Sequence, residues 1–202
     1  RKAVAIPSRS ILFNIDQKSD LIAKTQIDAL LGVFQKVFDE ACGYYGKQPF
    51  IAQFERDLDG KGQLQAFKAA FKEASEIDWE RGREQYMFEA EAIGKAVALA
   101  TDMPATEANG ILDRYRTDYR ASIEDFAERV RVYIDSQGPK FRLNFFVDEV
   151  GQYIADNVKL MTNLQTVAES LNTKCRGRAW IVVTAQQEIT AVLGDLTKKQ
   201  QN

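Results

Sequence analysis

Phe141-Arg142-Leu143-Asn144-Phe145-Phe146-Val147-Asp148-Glu149 is the stretch on which the fold turns. Gly138-Pro139 ahead of it ends any preceding helix, and the β-prone apolar run from Phe141 to Val147 closes on two adjacent acids. Two other segments share this character: Ile11 to Ile15 (ILFNI), closed by Asp16, and Ala179 to Thr184 (AWIVVT), introduced by Gly177. The runs at 141–147 and 179–184 are almost continuously apolar, as strands buried on both faces of a parallel sheet are. Helices are therefore expected over both faces.

Between these strands the pattern is helical. From Leu21 to about Gly43, the residues Ile27, Leu30, Leu31, Phe34, Val37, Phe38 and Ala41 recur every three or four positions, with Ser19 or Asp20 as the N-cap. A break is expected at Gly46-Lys47-Gln48-Pro49. Further helices are expected around Leu64–Ala74, Tyr86–Ala100, Ile111–Tyr119 and Ile123–Tyr133, and from Asn157 through Leu171. One helix of ordinary length between Val147 and Ala179 makes a βαβ unit. The roughly 90 residues of 47–137 exceed any connection inside a compact α/β domain and predict a helical insertion. The expected organisation is an α/β core over 1–46 and 138–202 with a helical subdomain over 47–137.

Composition narrows the chemistry. The 202 residues carry 27 Lys+Arg against 29 Asp+Glu, a net charge of −2, which argues against a wholesale nucleic-acid coat or a polybasic membrane binder. There is no histidine, so Ser-His-Asp and Cys-His triads and His-ligated metals are excluded for this stretch. Two cysteines, Cys42 and Cys175, suit a reduced cytoplasmic protein better than a disulfide scaffold. No apolar run reaches the ~18 residues of a membrane span. The opening RKAVAIPSRS and closing KKQQN point to a piece of a longer polypeptide.

The pair Asp148-Glu149, after the apolar residues Leu143, Phe145, Phe146 and Val147, has the Walker B pattern. Ligands of open α/β sheets sit at the carboxyl ends of strands, and side chains alternate faces along an extended chain. Two adjacent acids there can divide the work: Asp148 holds Mg²⁺, usually through water, and Glu149 polarises a water for attack on a γ-phosphate of ATP. The competing view is an apolar strand that simply ends in acids. Thr184, with Ala185-Gln186-Gln187 behind it, ends the neighbouring strand at the same edge, where additional-strand P-loop ATPases place a sensor residue; Thr184 and Gln186 both qualify. No Gly-x-x-x-x-Gly-Lys-Ser/Thr loop occurs in the chain. The phosphate cradle is expected ahead of Arg1.

Ser10 to Asp20 (SILFNIDQKSD), Phe145 to Gln187 and Ala191 to Leu196 (AVLGDL) resemble the large P-loop ATPase of BREX bacteriophage-exclusion systems, the BrxC/PglY family. The resemblance implies a partial additional-strand P-loop NTPase sheet with flanking helices, ATP and Mg²⁺ as cofactors of the longer chain, and other BREX-type defence proteins as partners. The Walker B acids carry over to Asp148 and Glu149. It also implies the strand order 11–15, 141–147, 179–184, all parallel, with the outer edge of Ile181–Val183 open to self-association. The alternative is a non-catalytic, helix-rich interaction or DNA-associated module with vestigial acids.

Three weaker patterns remain. Glu55-Arg56-Asp57-Leu58-Asp59-Gly60 looks like the start of an EF-hand loop, but Ala66 stands where a bidentate Glu is needed. An Asp-Gly turn between helices is the better expectation. Arg114-Tyr115-Arg116-Thr117-Asp118-Tyr119-Arg120 interleaves basic and aromatic residues, which can grip a DNA backbone; inward tyrosines with solvated or paired arginines are favoured. Lys174, Arg176 and Arg178 precede a strand, at the wrong edge of the sheet for an arginine finger.

Overall fold

A computed structural model describes residues 6–15, 29–150 and 158–184. The chain divides into two compact units, one of 1–37 with 121–202 and one of 38–120. The helix at 123–137 belongs to the first, whereas the sequence pattern assigned it to the insertion. The reason is its apolar face: Phe126, Ala127, Val130 and Ile134 are all fully buried, and Phe126 packs against strand residue Phe145.

In the first unit the strands β1 (Ser8–Asn14), β2 (Arg142–Asp148) and β3 (Ala179–Val183) form a parallel sheet in the order β1-β2-β3. This is the expected order and sense. The register aligns Ile11 with Phe145 and Asn14 with Asp148 on one side of β2, and Phe145 with Ile181 and Val147 with Val183 on the other. Three helices complete the described unit: α1 (Ala29–Cys42, its residues to Val37), α8 (Ile123–Gln137) and α9 (Val158–Lys174). α8 starts at Ser122, whose hydroxyl accepts the Asp125 N–H at 3.0 Å, an N-cap. α9 ends where Arg176 and Gly177 turn left-handed, and the Gly177 N–H closes on the Asn172 carbonyl at 3.0 Å.

The core is aromatic. Phe34 of α1 meets Phe13 edge-on with ring centroids 5.5 Å apart and Phe145 at 5.4 Å, and Phe126 of α8 lies 6.2 Å from Phe145. Such geometry adds about 0.5–1.5 kcal/mol per pair to what burial itself contributes.

The opposite face of the sheet departs from expectation. Leu12 is 78% exposed, Trp180 53%, Val182 41% and Phe146 37%. Leu12, Phe146 and Val182 form one row across the three strands by register. The helices expected over both faces lie over one among the described residues. The physical reason is winding: strands taken in sequential order and joined by crossovers of one hand lay every connecting helix on the same side. Continuous apolar strands signalled two apolar faces, and only one of them is covered by these helices.

The second unit is helical: α2 (Pro49–Gly60), α3 (Leu64–Ser75), α4 (Trp79–Gly82), α5 (Ala90–Thr101), α6 (Ala105–Ala108) and α7 (Ile111–Asp118). α2 was not anticipated. Pro49, read as a break, is its first residue, where a missing N–H costs nothing and φ is already helical. Trp79 sits at the centre with Phe67 at 4.9 Å, Phe71 at 5.2 Å and Phe54 at 6.2 Å. Glu55 is buried among them and fully engaged: its carboxylate accepts from Trp79 Nε1 at 2.6 Å, Arg83 at 2.8 Å and the Tyr45 backbone N–H at 2.6 Å.

Candidate functional site at the carboxyl edge of the sheet

β2 is paired on both sides, so its carboxyl end is held at fixed spacing from its neighbours, about 4.8 Å to each. The Thr184 N–H donates to the Val147 carbonyl at 3.0 Å, and the Val150 N–H donates back to the Thr184 carbonyl at 3.2 Å. Those two bonds carry the parallel ladder one residue past β3 and bring Thr184 level with Asp148. On the other flank the register sets Asn14 level with Asp148. Asn14, Asp148 and Thr184 thus form one polar row, next to the exposed apolar row of Leu12, Phe146 and Val182.

Side chains link the row. The Thr184 hydroxyl donates to Asp148 Oδ1, which also accepts the Glu149 backbone N–H at 3.0 Å. The Asn14 side-chain amide donates to Glu149 Oε2. Glu149 itself sits at φ +60°, in the left-handed region, which costs a non-glycine residue about 1 kcal/mol or more and persists only where the surroundings hold it. Val150, the next residue, is buried and anchors the turn.

Of the residues singled out from sequence, Asp148, Glu149 and Thr184 stand together at this edge. Gln186 lies outside the described residues. Asn14 was missed. The signal for it was present in ILFN, a strand ending on a side-chain amide, but nothing in the sequence says which strand flanks β2 on that side.

The donors suit a hard cation. Among the described residues the bonds to Asp148 fall on Oδ1, and carboxylate with hydroxyl oxygen is the ligand chemistry of Mg²⁺. Among the described residues no cluster of three or more Asp, Glu or Cys forms a metal cage. A cation here would accordingly be held by Asp148 together with water and phosphate oxygens, as Mg²⁺ commonly is.

The weaker patterns resolve into structure. Glu55 to Gly60 is the second half of α2 rather than a loop; Asp57 accepts from the Tyr115 hydroxyl and Asp59 from that of Tyr44. Tyr115 packs edge-on against Phe54 at 5.5 Å. Arg114 bonds the carbonyls of Asn109 and Glu107, Arg116 pairs with Asp113 at 3.0 Å, and Arg120 bonds the carbonyls of Thr117 and Tyr119. Arg178 pairs with Asp135, and its carbonyl accepts from Leu143 at the amino end of β2, the edge opposite Asp148. Elsewhere in the helical unit a cavity of about 170 Å³ is lined by Tyr86, Met87, Ile93, Ile111, Leu112 and Arg116, beside Phe88, which is 90% exposed.

No helix of the described residues is long and apolar enough to cross a membrane. No protein-family model matches the chain, and no solved structure matches it.

Proposed function

We propose that this chain supplies the Walker B and sensor strands of a P-loop ATPase of the additional-strand class, acting in cytoplasmic bacteriophage defence of the BREX type. The observation that carries this is one of placement. The adjacent acids Asp148-Glu149 end the central strand of a parallel sheet whose next strand ends, level with them, on a hydroxyl bonded to the first acid. A strand that ends in acids by accident has no need of a polar partner on its neighbour.

ATP with Mg²⁺ supplies the phosphoanhydride and the charge neutralisation, and the chain's own residues do the rest. Asp148, oriented by Thr184 and by the Glu149 N–H, would hold the cation through water. Glu149 orients the attacking water and takes its proton. Thr184, as the sensor residue, would help orient the attacking water; Gln186, two residues on, is the other sensor candidate. The phosphate cradle belongs to a part of the gene product outside these 202 residues, and other BREX-type defence proteins are the proposed partners.

Glu149→Gln in the complete gene product tests this. Nucleotide binding should be retained within about threefold, and turnover should fall by about 10²–10⁴, the usual worth of a general base. Asp148→Ala should in addition weaken Mg²⁺-dependent binding. Wild-type turnover in Glu149→Gln refutes the assignment.

A second reading, a non-catalytic interaction module, is favoured by a different observation: the cavity beside exposed Met87 and Phe88 in the helical unit. It predicts that both acid variants keep full function in defence while Phe88→Ser loses it.

A further inference from the structure

Phe88 is the most exposed aromatic side chain of the helical unit, at 90%, and Met87 beside it is 63% exposed. Both stand on a braced turn. The Phe88 N–H donates to the Gln85 carbonyl at 2.9 Å, the Glu89 N–H to the Tyr86 carbonyl at 3.2 Å, and the Gln85 amide to Glu89 Oε1 at 2.7 Å. Tyr86 pins the turn to the core, edge-on to buried Phe50 at 5.5 Å. A large apolar side chain held in water by its own turn forgoes the stabilisation that burial gives, and paired with a neighbour it marks a contact surface.

The adjoining cavity of about 170 Å³, with Tyr86, Met87, Ile93, Ile111 and Leu112 in its lining, is smaller than the ~300–1,000 Å³ of a small-molecule or cofactor site and suits one large apolar side chain. Its walls are tightly joined: a Cβ added to Gly94 of α5 would lie 2.7 Å from Asn109 Oδ1, just ahead of the lining residues Gly110 and Ile111. The surrounding charge is negative. Residues 38–120 carry 16 Asp+Glu against 11 Lys+Arg, a net charge of −5, whereas the rest of the chain carries 13 against 16, or +3. From Glu84 to Gly94 there are three acids, Glu84, Glu89 and Glu91, and no cation. Glu84 pairs with Lys47 and Glu91 with Lys95, both in exposed pairs worth little, so an incoming Lys or Arg can take the place of either cation.

We propose that this cavity and the Met87–Phe88 shelf form a docking site for a basic amphipathic segment of a partner protein. One large apolar side chain of that segment enters the cavity and a second packs on Phe88, while its flanking Lys or Arg residues meet Glu84, Glu89 and Glu91. A second copy of the helical unit is disfavoured as the occupant because it brings the same excess of acids. The proposal deepens the interaction-module reading of this cavity and is independent of the ATPase assignment.

The test is a selection of random 12-residue peptides displayed on phage, with this chain as bait, followed by anisotropy titration of the strongest peptide labelled with fluorescein. Enriched peptides should carry Trp, Phe, Leu or Met flanked by Lys or Arg. Phe88→Ser should weaken binding at least about tenfold and Glu91→Lys about threefold or more, with Tm unchanged in both because these side chains are exposed. No enrichment, or a consensus without basic residues, overturns the proposal. So does binding that survives Phe88→Ser and is lost in Leu12→Lys, which would place the peptides on the sheet. Self-association lost in Phe88→Ser but kept in Leu12→Lys with Trp180→Lys would make a second copy the occupant and overturn the basic partner. In the complete gene product, basic peptides bound at Phe88 together with an inactive Glu149→Gln overturn the non-catalytic reading and leave this site standing. Loss of defence in Phe88→Ser without such peptides overturns this site and leaves that reading standing.

Discussion

Glu55→Gln is an isosteric change that the helical unit should not tolerate. Glu55 is 1% exposed, and its two oxygens serve three donors: Oε1 takes Trp79 Nε1 at 2.6 Å and Arg83 at 2.8 Å, and Oε2 takes the Tyr45 N–H at 2.6 Å. A glutamine has one acceptor oxygen. With that oxygen kept toward Trp79 and Arg83, its NH₂ faces the Tyr45 N–H, donor against donor; turned over, it faces two donors. The better orientation loses one bond to a charged acceptor, worth about 1.5–3 kcal/mol, and leaves Arg83, whose side chain is 17% exposed, without its counter-charge. A total of about 2–4 kcal/mol follows, and in a unit of this size each kcal/mol moves Tm by about 4–8 °C. Thermal unfolding followed by Trp79 fluorescence in a Trp180→Phe background reports on this unit, since the chain has two tryptophans. A midpoint lowered by about 10–25 °C is expected. A shift below about 3 °C would show that the carboxylate is not what joins α2 to Tyr45 and α4.

Gly82→Ala should destabilise the same unit by about 1–3 kcal/mol in urea unfolding, because an added Cβ would lie 2.3 Å from Cζ and 2.4 Å from Cε1 of the fully buried Phe71 ring; a stabilised variant would mean that the ring moves freely. Burial pushes the Cys175 thiol up to about 11, so its stability contribution as a protonated group is complete below the ordinary thiol range and is lost only as pH climbs above it. At pH 8 a thiol reagent should therefore titrate Cys42 in the native protein and reach Cys175 only in denaturant; rapid modification of both would refute its burial. The apolar row Leu12, Phe146 and Val182 with Trp180, beside the edge of β3, should make the chain self-associate at tens of micromolar in sedimentation velocity, and Leu12→Lys with Trp180→Lys should return it to monomer. A monomeric wild type at that concentration would show the face to be otherwise covered.

The three strands and the parallel sense of β2 and β3 were legible in the sequence, because short apolar runs bounded by Gly-Pro, Gly and paired acids read as strands and one intervening helix requires a crossover; the place of β1 beside β2 was what the family resemblance implied. That Asp148, Glu149 and Thr184 share one edge was legible because they end two strands that one crossover helix makes parallel. The start of α2 was not, since Pro49 serves equally as a stop and as a first helical residue and only the chain around it decides. Helix 123–137 could not be allotted from its own periodicity, which states that it has a buried face but not against what. Asn14 lay in plain sight and was silent, because a tether between residues 14 and 149 exists only once β1 and β2 are in register. That Leu12, Phe146 and Val182 lie on the face without a helix among the described residues is likewise a property of winding: an apolar strand says that its faces want cover, and the path of the connections decides which face receives it.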